Sequence, residues 1–194
     1  MKVVIADGFE FHFSDAIDAY VFDEKDSTKP TFHGAPMKGV DIVAEFEDAY
    51  IYVELKDYDD VSAYDVTRAV NDDEIKSRQQ GFKWLKNYLK YKFRDSYLYR
   101  FAEGKVDKPV HFICVLTFDN ALNSRMVSDL RRELPVGKKS RRWTQALAKS
   151  CQVVNLDKWN EVFPRWPATR IAPEENMPRQ GRELHDNQFA QDPR

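Results

Sequence analysis

The sequence predicts an α/β protein, a mixed β-sheet flanked by helices, and three stretches carry that expectation. Residues 40–58 (VDIVAEFEDAYIYVELKDY) read as two strands joined by a short acidic turn. Residues 74–100 hold one long helical stripe, Ile75, Phe82, Leu85, Leu89 and Phe93. VHFICVLTF (110–118) is an apolar run bounded by Pro109 and Asp119-Asn120, the pattern of a central strand. A hairpin followed by crossover connections requires a mixed sheet.

The remaining elements follow in order. Residues 1–7 (MKVVIAD) form a short first strand or an extended lead-in. In FSDAIDAYVF (13–22), Phe13, Ile17 and Val21 lie four apart and Ser14 is a candidate N-cap, which predicts a short helix. Residues 23–39, rich in Pro, Gly and polar side chains, read as a loop. The hairpin strands span about 39–46 and 50–57, and the acidic stretch 57–74 reads as a loop with a helical turn. SDLRREL (128–134) and KSRRWTQALAKS (139–150) predict two further helices, and CQVVNLDKW (151–159) a last strand. No internal repeat is present. Residues 1–170 are expected to form one α/β domain. Residues 171–194 are too poor in apolar side chains to order themselves and are expected to be a flexible tail.

Composition narrows the function classes. The chain has 194 residues, enough for one substantial core, and its 32% charged residues nearly cancel to a net −2. A near-neutral chain is not a simple polybasic nucleic-acid binder, so attraction to phosphate must come from local patches or bound cations. Cys114 and Cys151 form no CxxC signature or disulfide framework, which predicts a reducing, cytoplasmic setting. The N-terminus meets Asp and Glu too early for a signal peptide, and no apolar run approaches the ~18 residues of a membrane span. His12, His33, His111 and His185 share no metal-ligand spacing, and no Gly-rich phosphate loop is present.

The hairpin carries charge where charge is expensive. Strand alternation puts Tyr52, Glu54 and Lys56 on one face and Ile51, Val53 and Leu55 on the other, the aliphatic face packing on a helix. If the turn holds an even number of residues, with 45 opposite 50, Asp41 faces Glu54 across the ladder, Cβ atoms ~5 Å apart; an odd-length turn puts them on opposite faces. Two carboxylates so placed repel unless a cation sits between them, and they suit Mg²⁺, which takes one or two protein carboxylates and keeps positions for water and phosphate. Lys56 would then orient or deprotonate a water, or neutralise charge on the phosphate. Alternation alone leaves a second reading equally open, a hairpin with one solvated face.

Asp41, then Glu54-Leu55-Lys56 thirteen residues on, at the end of an apolar strand and before a long helix, resembles the PD-(D/E)xK nuclease superfamily. The resemblance covers roughly residues 10–160 and implies a restriction-endonuclease-like fold. It implies that Asp41, Glu54 and the Leu55 carbonyl hold Mg²⁺ or Mn²⁺, and that Lys56 assists hydrolysis. Val40 stands where many members carry proline. Members often add an acid from the first helix; Asp18 is favoured over Asp15, with Glu10 and Glu24 weaker candidates.

Two segments are candidates for nucleic-acid contact. Lys83, Lys86 and Lys90 form one ridge on the long helix, interleaved with Trp84, Tyr88 and Tyr91, which could stack on bases or pack at a rim. Gln80 and Trp84 superficially match a Gln-to-aromatic spacing of exonuclease-like members. Residues 131–149 hold seven basic residues against one acid, among them Arg131, Arg132, Lys138, Lys139, Arg141 and Arg142. They read as a phosphate contact, with a solvated face or an acidic partner as the rival. The expected function is a metal-dependent DNA endonuclease of a restriction or anti-phage setting, with a homodimer or partner protein adding specificity. The alternative is a catalytically inactive nuclease-fold subunit that binds nucleic acid or serves as a scaffold.

Overall fold

In the computed structural model, which describes residues 1–57, 64–137 and 140–171, the chain opens with a hairpin. β1 (Lys2–Ala6) and β2 (Phe9–Phe13) pair antiparallel with Ala6 opposite Phe9, leaving Asp7-Gly8 as a two-residue turn. Both turn residues take positive φ, 48° and 79°, the twist that suits Asp-Gly in a tight hairpin. Phe9, Phe11 and Phe13 alternate along β2 and are all buried. β3 (Asp18–Val21) follows after a short turn. The helix expected over 13–22 therefore does not form: Phe13 ends one strand, Val21 ends another, and Ile17 between them is exposed. The four-residue spacing loses to the two-residue alternation of FEFHF, because burying three phenylalanines on one face needs an extended chain.

β4 (Ile42–Glu45) and β5 (Tyr50–Lys56) form the expected hairpin, with Glu45 opposite Tyr50 and Ile42 opposite Val53. A 3-10 turn at Val66–Arg68 lies in the acidic stretch. α1 (Asp72–Ala102) starts at Asn71, whose side chain accepts from the Glu74 N–H at 2.9 Å, with Asp72, Asp73 and Glu74 favouring the positive helix end. It stops where Gly104 takes φ 73° and the Lys105 N–H returns to the Arg100 carbonyl.

β6 (Val110–Leu116), α2 (Asn120–Glu133), β7 (Ser150–Val154), α3 (Leu156–Val162) and β8 (Ala168–Arg170) complete the described chain. Of the helix expected over 139–150, the described residues 140–149 form a loop instead and Ser150 opens β7. Gly137, at φ 60°, donates to the Ala148 carbonyl at 2.7 Å, and Val136 bridges Ala148, so the chain doubles back before β7. The strand expected over 151–159 ends early, because Asn155 caps α3 by accepting from the Lys158 N–H, and Trp159 belongs to that helix. Lys138, Lys139 and residues 172–194 of the expected tail lie outside the described residues.

The main sheet runs β3-β4-β5-β6-β7, antiparallel through β5 and parallel from β5 to β7. The fold is thus mixed α/β, with a second three-stranded sheet in the order β1-β2-β8 that local sequence patterns do not announce. One face of the main sheet, including Tyr52 and Phe112, packs against Leu85, Leu89 and Phe93 of α1 and Met126 and Leu130 of α2. The other face, including Ile51, Val53 and Leu55, packs against Phe11, Phe13 and Trp159. The aliphatic face of β5 packs on a helix as expected, α3, together with the small sheet, but the face bearing Glu54 and Lys56 is covered as well, by α1. β6 is apolar except for half-buried His111, because both its faces are covered.

α1 and α2 are clamped by Glu133, whose carboxylate meets Lys86 and Lys90 at 2.7 Å each. The hydrogen bonds from Lys86 and then Lys90 lower its pKa to about 2. A depressed carboxyl pKa contributes stability that is present above the unfolded value and lost as pH falls towards the folded one. Urea midpoints should therefore fall as pH drops from about 4.5 towards about 2, and Glu133→Gln should flatten part of that fall. Identical acid limbs in both proteins would remove the clamp from the account.

Candidate active site

Asp41 is set at the entrance of β4 by bonds on both sides. The Val40 N–H donates to Ser96 Oγ of α1 at 2.8 Å, and the Phe22 N–H donates to the Asp41 carbonyl at 2.8 Å. β4 pairing begins at Ile42, so β5 runs on past Val53 without a ladder partner on that edge. The Leu55 N–H, which faces this open edge, donates to Asp41 Oδ2 at 2.6 Å. A strand residue points its N–H and C=O to the same side, so the Leu55 carbonyl faces the same edge. The Lys56 carbonyl, one residue on, points the other way and accepts from Thr117 beyond β6.

Glu54 is fully buried, and Lys56 Nζ lies 3.1 Å from its Oε1. Neither Glu54 oxygen receives a well-directed hydrogen bond. A solvated hairpin face is therefore not what the chain builds: this carboxylate lies inside the protein under α1. Burial, and then the charge of Asp41, push the Glu54 pKa up to about 8, against the pull of Lys56 and Lys92. Burial works against the charge on Lys56, but the carboxylates of Glu54 and Asp41 outweigh it and raise its pKa.

The structure adds three groups that the sequence pattern did not single out. Lys92 of α1 is 4% exposed, and its Nζ lies 3.3 Å from Glu54 Oε2, 3.5 Å from Asp23 Oδ2 and 3.6 Å from Asp41 Oδ1. Its signal was present in the sequence, since Lys92 follows Leu85 by seven and Leu89 by three, on the stripe that faces the sheet. Asp23 joins from the end of β3 through this lysine. Asp7, at the β1–β2 turn, reaches the site electrostatically: the surrounding protein, and then the charge of Asp41, raise its pKa.

Asp18 does not join them. It lies opposite Glu45, at the far end of β4 and about 13 Å along the strand from Asp41, and pairs with Lys2 at 3.5 Å. Asp15 pairs with Arg165, Glu10 with His12 and Glu24 with Lys29. The lysine ridge of α1 is also altered, since Lys86 and Lys90 are half-buried partners of Glu133 and only Lys83 of the three is exposed. Arg131 donates to the Cys151 carbonyl and Arg132 pairs with Asp129, while Arg141 and Arg142 are exposed on the loop before β7.

Tyr88 roofs the cluster, with Lys56 and Lys92 ammonium groups 5.3 and 5.5 Å from its ring centre. Trp84 stacks on Tyr88 at 5.3 Å, and Lys38 lies 5.0 Å from the Tyr88 ring and 6.0 Å from Tyr91. Trp84 and Tyr91 are each 47% exposed.

Comparison with protein-family models, curated proteins and solved structures finds no match for this chain. Among the described residues, no three His, Cys, Asp or Glu side chains are arranged to hold a metal ion, and no helix is long and apolar enough to cross a membrane. The donor chemistry nevertheless fits a hard divalent cation: the Asp41 and Glu54 carboxylates and a carbonyl on the Asp41 edge, with two Glu54 oxygens short of hydrogen bonds.

If buried negative charge dominates here, removing one carboxylate should stabilise the protein and removing a lysine should weaken it. In EDTA, Asp41→Asn, which keeps an acceptor for the Leu55 N–H, should raise the melting temperature, by about 2–4 °C for each kcal/mol of repulsion relieved. Lys56→Met should lower it. Calorimetry showing the opposite signs would reverse the assignment of charge dominance.

Proposed function

We propose that this protein is a divalent-metal-dependent nuclease that hydrolyses phosphodiester bonds, with DNA the favoured substrate, on a restriction-endonuclease-like core. The observation that carries this reading is the burial of Asp41 and Glu54, with half-buried Lys56 beside them, at the open end of one hairpin, where ordinary surface residues would be solvated. The order of elements supports it: an antiparallel hairpin bearing the three residues, a long helix, then two parallel strands separated by a helix.

Asp41, Glu54 and the Leu55 carbonyl are the groups that would hold Mg²⁺ or Mn²⁺, and the ion when bound would polarise the phosphate and activate a water. Asp41 is kept in place by the Leu55 N–H and Glu54 by rigid strand pairing on β6. Lys56 supplies a fixed positive charge for orienting a water and for the negative charge that develops on the phosphate. Tyr88 borders these residues, and its stack with Trp84, with Tyr91 beyond Lys38, offers aromatic surface to nucleobases, with Lys38 and Lys83 available to phosphates. Arg141 and Arg142, exposed on the loop before β7, add two further cations for a phosphate backbone.

One observation favours the second reading, a nuclease-fold protein without the chemistry: Lys92 occupies the space between the carboxylates. Cleavage separates the two. Purified protein with Mg²⁺ or Mn²⁺ should cut DNA, and EDTA should abolish cutting. Asp41→Ala, Glu54→Ala and Lys56→Ala should each lower the rate by about 100-fold or more while circular dichroism shows the fold retained. Wild-type rates in all three variants would exclude the assignment.

Substrate binding is tested separately by salt. Reversing Arg141 and Arg142 to Glu should weaken binding to duplexes of any sequence. The slope of log affinity against log salt should fall by ~0.9 for each phosphate that is no longer neutralised, measured by anisotropy in Ca²⁺. An unchanged slope would assign the loop to solvent or to a protein partner.

A further inference from the structure

Lys92 donates one long hydrogen bond, to Asp23 Oδ2 at 3.5 Å, and no single acid holds its ammonium at the close range of an ordinary ion pair. A lysine–carboxylate hydrogen bond spans ~2.7–2.9 Å, whereas the three contacts of Lys92 are 3.3, 3.5 and 3.6 Å, to Glu54, Asp23 and Asp41. It lies between three carboxylates from three different segments, where attraction to all of them is shared. Its stem enters from α1, its residue is 4% exposed, and its other near neighbour is the Tyr88 ring. The same buried position is where a cation shared by Asp41 and Glu54 would sit.

We propose that Lys92 is a resident counter-ion of the site, which a divalent cation must displace in order to bind. The proposal rests on the metal-dependent reading above and adds its regulation. A carboxylate oxygen approaches Mg²⁺ at ~2.0–2.1 Å, so an ion bound to both Asp41 and Glu54 would lie within a few ångströms of the present ammonium. Two cations so close repel inside the protein, where screening is weak. Entry of the metal is therefore an exchange: the ion takes the carboxylates and the ammonium withdraws. In the absence of metal, Lys92 keeps the acids together and the hairpin docked under α1. In its presence, the affinity is lowered by the strength of the interactions that Lys92 gives up. The site then fills with metal at a higher concentration than it would without Lys92, and nucleic acid, whose phosphate adds ligands to the ion, lowers that concentration.

The test measures metal without substrate. Mn²⁺ binding to the full chain is followed by the decrease of the free-ion electron paramagnetic resonance signal, for wild type, Lys92→Met and the exposed control Lys105→Met. Lys92→Met should bind Mn²⁺ about tenfold or more tightly than wild type, and Lys105→Met should match wild type. The Lys92→Met protein should also melt lower than wild type in EDTA and gain more from Mn²⁺. Should Lys92→Met fail to fold, the comparison is made between Asp23→Asn and Asp23→Asn with Lys92→Met, which leaves one less carboxylate unpaired. Equal or weaker Mn²⁺ binding without the lysine, with wild type binding normally, would overturn the counter-ion and leave the metal site intact. Failure of every variant to bind Mn²⁺ at millimolar concentration would overturn both.

Discussion

Glu54 lies wholly inside the protein beside Asp41, and two carboxylates can share that space only if positive charge is brought to them. The hairpin supplies one cation, Lys56, and the helix packed over it supplies another, Lys92. Much of the architecture serves this arrangement. α1 holds the start of β4 through Ser96 and carries Lys92 one turn earlier, so the helix that buries the acids also neutralises them. Truncation of β4 at Ile42 frees the Leu55 edge of β5 for Asp41. The site is a local interruption of sheet pairing, filled with charge.

Such an interior is hard to explain as stabilisation alone. Buried ion pairs recover little over well-packed apolar side chains, while an acid left short of partners is costly. Glu54 is short of partners in this sense: two nearby ammonium groups do not bring its pKa back to the ordinary carboxyl range. Charge maintained at such cost, next to exposed aromatic rings and Lys38, is what the proposed chemistry would need. The clamp of Glu133 on Lys86 and Lys90 has the opposite character. It ties two helices together at the surface and withdraws two lysines from the ridge that the helical spacing had suggested for phosphate.

Two of the regions where expectation failed share a cause. Over 13–22, helical spacing was satisfied by chance, while burial of Phe9, Phe11 and Phe13 on a second sheet demanded extended chain. Over 139–150, a sequence with helix-forming residues was overridden by closure of the chain between Val136 and Ala148. In both, a contact between residues distant along the chain outweighed local preference, and no local window contains that information. The second sheet was missed for the same reason, since β8 joins β2 across more than 150 positions.

What the sequence by itself determined was the hairpin, and that Glu54 and Lys56 share one face of it. Alternation is local and holds in any register, whereas the nearness of Asp41 to Glu54 requires the even turn, with Glu45 opposite Tyr50, that the folded hairpin adopts. The long helix and the interior strand were legible too, because their periodicities run over many residues. Only the tertiary structure decided which face of the hairpin the helix covers, that Glu54 is buried, and that Lys92 and Asp23 meet it while Asp18 does not. Period and spacing say which side chains share a face; which element covers that face depends on the free energy of packing every apolar surface at once, and that is a property of the whole chain.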